Sequence, residues 1–351
     1  MAQQQPIPGV DPAIQQACDE FRRDYKAIQT EIGKAIIGHE EIVDGVLTRL
    51  FVGGHALLEG VPGLGKTALI RALSEALHLK FSRIQFTPDL MPADVIGTNV
   101  IQEDEHGHRQ FKFMTGPIFA QIVLADEINR ATPKTQSALL EAMQEKQVTA
   151  GGDIRKLEAP FFVMATQNPL EQEGTYPLPE AQLDRFFYKL IVQYSGRDEL
   201  HKIMNMTTTG HKVQINPILD GPTIIKHQDV IRRVVIAPHV QDYAIRVTLA
   251  THPNGMYAIP MANQFLRVGA SPRAAQAITL GSKVRALLDG RFHVSFKDIK
   301  EVAIPAMRHR IILNFEGEAE GITTDMVLEK ILAETPQTAE DFVAAPVGAG
   351  R

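Results

Sequence analysis

Gly60-Val61-Pro62-Gly63-Leu64-Gly65-Lys66-Thr67 matches the spacing G-x-x-x-x-G-K-[ST] at every fixed position. Glycines at those places let the backbone turn inward, so that its N–H groups face a phosphate. A helix starting near Lys66 adds the positive end of its dipole. Lys66 carries the charge that suits β- and γ-phosphates, and the Thr67 hydroxyl suits magnesium. Ala68, next on the same helix, is counted with this nucleotide-binding set. Downstream, the apolar run Ile122-Val123-Leu124-Ala125 ends in Asp126-Glu127. Two solvated acids at a strand end would look the same. Behind a phosphate loop, however, Asp126 suits magnesium and Glu127 suits the activation of a water as general base. The pair together separates ATP hydrolysis from ATP binding alone.

The elements that must position these groups follow from the hydrophobic pattern. A helix is expected from Asp11 to about Lys34, where Ile14, Ala17, Phe21, Tyr25 and Ile28 recur at three- and four-residue steps, and a second over Glu40 to Phe51. Ala56–Leu58 reads as a strand running into the glycine loop, with a helix from Lys66 to His78 after it. Further strands are expected at Phe81–Phe86, Ile122–Ala125, Phe161–Ala165 and Tyr188–Val192, with a helix from Thr132-Pro133 to about Lys146. A strand apolar at every position fits a parallel sheet covered by helices on both faces. Two hairpins interrupt the alternation: one turning on Gly151-Gly152, one between Thr98 and Phe113 with an acidic tip, Glu103 to His108. Helices are expected beyond Ser195 at Asp229–Val235, Val240–Thr251, Pro272–Leu288 and Phe296–Ile304. A boundary is placed in the polar Thr207–Pro222 region.

The bulk numbers exclude several classes. The chain has 351 residues, 44% hydrophobic and 22% charged, as in ordinary globular proteins. The net charge of −5 gives no support to a nucleic-acid grip. No run approaches a membrane span, and residues 1–6 show no signal peptide pattern. The single cysteine, Cys18, precludes an internal disulfide and fits a reducing, cytoplasmic setting. His106-Gly107-His108 reads as solvated rather than metal-binding, and Arg308-His309-Arg310 is too short for a nucleic-acid footprint.

Together these motifs resemble the AAA+ ATPases, and more narrowly the MoxR family. The narrower likeness rests on Asp126-Glu127-Ile128-Asn129-Arg130-Ala131, on Ala165-Thr166-Gln167-Asn168-Pro169, and on the segment from Glu173 to Phe186. The resemblance covers about residues 35 to 310. It implies an α/β fold: an AAA+ αβα sandwich with a parallel sheet over 35–210, followed by a smaller all-α lid over 211–335. A lead-in of 1–34 and a disordered tail of 336–351 flank them. It implies ATP and Mg2+ as ligands. It implies Asn168 as sensor 1, Arg185 as an arginine finger acting on a neighbour's nucleotide, with Arg130 ranked behind it, and Arg273 as sensor 2. Taken alone, Asn168-Pro169 is also an ordinary turn after a strand, and Arg185 also suits a surface ion pair. Ser271 and Pro272 would place Arg273 in the opening turn of a helix. Ile37-Gly38 resembles the segment that lies against adenine. The hairpins resemble the helix-2 and pre-sensor-1 insertions. A finger acting in trans implies a ring, with a hexamer as the family expectation. The implied role is chaperone-like remodelling, activation or cofactor or metal insertion of a client, often with a partner bearing a von Willebrand factor A domain. Thr87 to Asp94 lacks the aromatic–hydrophobic–glycine loop of polypeptide-threading unfoldases. Two other readings stay open: a nucleotide-gated assembly scaffold with little turnover, and a DNA-remodelling motor.

Overall fold

The computed structural model describes residues 12–61, 63–103, 108–169, 174–208 and 213–338. Residues 1–11, with the expected helix start Asp11, Pro62, residues 104–107 of the acidic tip, 170–173 with Glu173, 209–212, and 339–351 of the expected tail of 336–351 lie outside the described residues. Two compact units make up the chain, one of residues 23–186 and 190–227, the other of 1–22, 187–189 and 228–351.

Helices α1 (Pro12–Gly33) and α2 (Glu40–Val52) precede strand β1 (Ala56–Glu59), the glycine loop and α3 (Lys66–Ala76). Next come β2 (Phe81–Gln85), α4 (Pro92–Ile96), the hairpin β3–β4 (Gly97–Glu103 and Arg109–Thr115) and β5 (Ile122–Asp126). A single 3-10 turn over Ile128–Arg130 leads to α5 (Pro133–Glu145) and the hairpin β6–β7 (Gln147–Ala150 and Asp153–Lys156). Then follow β8 (Phe162–Gln167), α6 (Glu180–Leu183), β9 (Tyr188–Ile191) and α7 (Arg197–Thr208). The five core strands stand in the order β2-β5-β8-β1-β9, and the pairs β2–β5, β5–β8 and β8–β1 are parallel. Strand β8 therefore separates the strand entering the glycine loop from the strand ending in Asp126.

Burial follows that order. All of β5 is buried, whereas edge strand β2 is half open at Arg83. One core packs Leu57, Val123, Val163 and Ala165 of the sheet against Leu139, Leu140 and Met143 of α5. His55, just before β1, pins β8 to the end of α5: its Nδ1 accepts from Val163 N–H and its Nε2 meets Met143 O, both at 3.0 Å. Burial holds this imidazole far below its usual pKa, at about 4, so it is neutral. The expected glycine turn is present, with Gly151 and Gly152 both at positive φ (67° and 89°), as a two-residue hairpin loop requires.

The second unit is chiefly helical: the later part of α8 (Gly221–Arg233), α9 (Pro238–Leu249), α10 (Pro260–Phe265), α11 (Pro272–Leu288), α12 (Phe296–Met307), α13 (Phe315–Ala319) and α14 (Thr324–Glu334). An antiparallel ribbon of β10 (Leu266–Val268) and β11 (Ile312–Leu313) lies within it. Helix α8 begins at Gly221 rather than Asp229, because the Asp220 carboxylate caps it through Thr223 N–H (3.0 Å). Helix α12 runs past Ile304 to Met307 although Pro305 lacks an amide. The ladder resumes at once with Arg308 N–H to Ile304 O, 2.9 Å. Asp298, fully buried, fixes the start of α12 by accepting from Ser295 and from both Nη groups of Arg291 (2.7 and 2.9 Å). No helix among the described residues is long and apolar enough to cross a membrane.

Candidate active site

The glycines of the loop do different jobs. A Cβ on Gly60 would sit 2.8 Å from Val192 O, so Gly60 permits close backbone approach. Gly63 and Gly65 have open space around them but adopt φ of 84° and 78°, which an L side chain rarely takes. Gly65 is also the N-cap of α3, which places Lys66 and Thr67 in the first turn. Lys66 Nζ folds back to Gly60 O, while Thr67 and Ala68 are exposed and Val61 and Leu64 half-buried. The loop's entry is tied to β8 by Gly60 N–H to Gln167 O, 3.2 Å.

Thr166, also on β8 and 1% exposed, joins the two acids. Its hydroxyl donates to Asp126 Oδ1 (2.6 Å) and accepts from Glu127 N–H (2.8 Å). The other oxygen of Asp126 accepts from Arg83 Nε (3.1 Å) and Nη2 (2.7 Å). Glu127 holds a left-handed backbone, φ 55° and ψ 49°. That conformation costs a non-glycine residue about 1–3 kcal/mol and clusters at working sites. Glu127 Oε2 accepts from Gln85 Nε2 (2.7 Å) and pairs with Arg130 Nη1 (3.0 Å). Neighbouring strands lie ~4.8 Å apart, so the loop and the acid pair, two strands distant, flank a gap of roughly 10 Å. The carboxyl ends of parallel strands are where such sheets bind ligands.

A largely apolar cavity of about 420 Å³ adjoins the loop, lined by Ile36, Ile37, Leu64, Tyr194, Ile203 and Met206 among others. Gly38 turns the chain beside it at φ 72°, where a Cβ would meet the Glu199 carboxyl at 2.6 Å. Asn168 is buried just beyond β8, next to the entry of the loop. Arg185 stands farther along, on a polar cleft with Glu141 and Glu145 of α5, and donates to Leu140 O at 3.0 Å. Arg273 belongs to the other unit. It is exposed in the first turn of α11, where Ser271 Oγ accepts its N–H (3.2 Å).

A family profile described as "ATPase family associated with various cellular activities (AAA)" matches residues 55–188, and an AAA lid domain matches 260–331. Over 303 residues the chain is 40% identical to Chaperone MoxR1 of Mycobacterium tuberculosis, covering 86% of this chain and 79% of the relative. The chain belongs to the MoxR family of AAA+ ATPases. It is also 28% identical to Protein MoxR of Methylorubrum extorquens, over 88% of this chain and 94% of that one. A crystal structure from Cytophaga hutchinsonii superposes with a TM-score of 0.86 at 40% identity, covering 92% of this chain and 98% of the other.

In this MoxR chain the sequence reading passed over four contributors: Arg83, Gln85, Thr166 and α7. Arg83 and Gln85 alternate on one face at the end of β2, and Gln85 pairs in register with Asp126. Two long polar side chains spaced by two at the carboxyl end of the strand were the available signal. Helix α7 supplies Leu200, Ile203 and Met206 to the cavity, and its threefold apolar spacing was readable.

Proposed function

We propose that this AAA+ ATPase hydrolyses ATP to ADP and phosphate at the carboxyl ends of β1, β8 and β5, in sites completed by a neighbouring subunit of a ring. The observation that carries the reading is Thr166, which joins both acids on the strand next to the glycine loop. In this reading the base sits in the cavity of Ile37 and α7, the loop amides and Lys66 grip the phosphates, and Glu127 takes a proton from the attacking water. Asn168 orients that water. Glu127 must leave Gln85 and Arg130 to act, so this pairing holds the base away from water until the nucleotide is in place.

The residues fit a magnesium ion. Thr67 offers an exposed hydroxyl and Asp126 a carboxylate, both hard oxygen donors. With these two donors, the ion's other positions would be left to phosphate oxygens and water. Bound magnesium neutralises charge that develops on the phosphates.

Arg185 serves as the finger that reaches a neighbour's nucleotide, with Arg130 as the lesser candidate, and Arg273 of the lid answers to the nucleotide of its own subunit. A hexamer is the expected ring. Work on a client protein is the reading favoured by kinship with a chaperone, and a partner with a von Willebrand factor A domain is the expectation for the family. Mixing subunits tests the shared site. Lys66→Ala and Arg185→Ala chains should each be inactive alone and regain phosphate release together. Mixed rings that form but stay inactive would remove Arg185 from a role in trans.

A further inference from the structure

We infer that Arg83 is a built-in counter-cation for Asp126 that sets how tightly the site takes a divalent metal. The inference rests on the proposal that Asp126 contributes to a magnesium site. Both Arg83 donors converge on one oxygen, Asp126 Oδ2, at 3.1 and 2.7 Å, while Thr166 occupies Oδ1 at 2.6 Å. The guanidinium is itself steadied, because Nη2 also donates to Gln85 Oε1 at 2.8 Å. It lies at the rim: the Arg83 side chain is 48% exposed against 12% for Asp126. The anion is thus enclosed and its cation stands at the solvent edge of strand β2.

A guanidinium cannot shed its charge by deprotonation. A divalent cation arriving at Asp126 meets it at close range, and either Arg83 swings out to solvent or two like charges share one carboxylate. Exposure of half the side chain makes the swing possible. Gln85 then loses a partner too, and Gln85, with Arg130, holds the Glu127 carboxylate. Metal entry at Asp126 and release of Glu127 are linked through Arg83 and Gln85. Arg83 is a positioning residue here, not a catalytic one.

The sign of the effect separates this role from mere structural support. Damage to a site weakens metal binding, whereas loss of a competing cation strengthens it. The test is Mn2+ binding, followed by electron paramagnetic resonance, to the full chain saturated with a non-hydrolysable ATP analogue. Arg83→Gln should bind Mn2+ roughly three- to tenfold more tightly than the unaltered chain, the scale of a half-exposed ion pair, with Arg83→Lys in between. Analogue binding in EDTA should agree within about twofold across the three proteins, which also reports that they fold. Equal or weaker Mn2+ binding by Arg83→Gln overturns the inference, and so does a collapse of analogue binding in EDTA, which would make Arg83 a phosphate ligand. If Asp126→Asn leaves Mn2+ binding unchanged, the magnesium site itself is misplaced, a failure distinct from the first.

Discussion

The two halves of the site are built by opposite means. The phosphate loop is backbone shaped by glycine and open at its turn: Gly63 and Gly65 take φ values that only their lack of a side chain makes easy, and Thr67 stands open to solvent. The acid pair, with Asp126 buried and Glu127 half-buried, is held by side chains, with Thr166, Arg83, Gln85 and Arg130 all bound to Asp126 or Glu127. Backbone donors need no reorganisation to receive an anion. Side-chain restraints must be exchanged before the acids can work. Binding is therefore prepared in advance, and hydrolysis is gated.

That contrast can be broken from either side. Lys66→Ala should weaken ATP-analogue binding by about 100-fold, measured by fluorescence titration, since it removes the one full charge of the cradle. A loss under tenfold would put the grip on the backbone alone. On the acid side, His55 makes β8 sensitive to pH. Its folded pKa of about 4 lies below the unfolded value of 6.5, so the unfolded chain binds more protons between them. Stability is full above pH 6.5 and falls as pH drops, by about 2 kcal/mol at pH 5. Denaturant unfolding should show that loss, and His55→Gln should abolish most of its pH dependence. Thr166→Val should cut turnover about tenfold while analogue affinity stays within about threefold, because Asp126 Oδ1 and the Glu127 N–H lose the hydroxyl that positions them while the loop is untouched. The smallest expected effect is Gly65→Ala, about a fivefold loss of affinity from the cost of its backbone conformation. Turnover at saturating ATP should hardly change. Gly60→Ala is the contrasting variant, since its Cβ would strike Val192 backbone rather than strain a turn.

The same contrast explains what was legible in the sequence. The loop is local: eight consecutive residues state its spacing, and the flanking strand and helix are visible in the apolar pattern. The acids were legible because β5 is buried at all five positions and ends on them. Their holders were not, since Arg83 and Thr166 meet Asp126 only through a sheet order that sets β5 between β2 and β8. No spacing along the chain reports that neighbourhood. Helix α7 was hidden for another reason. Its apolar residues turn to the cavity beside the loop rather than to a closed core, and none of its residues is fully buried. In the lid, the helix expected to end at Ile304 runs on to Met307, since the single missing amide of Pro305 does not end α12.

The most direct test of the hydrolytic account is steady-state phosphate release by Glu127→Gln, paired with its ATP-analogue affinity. The substitution keeps shape and hydrogen-bonding capacity but removes the base. The account predicts release at least 100-fold below the unaltered chain, with affinity unchanged within about threefold. Release at the unaltered rate would contradict it, leaving a site that binds nucleotide but does not use Glu127 to hydrolyse it.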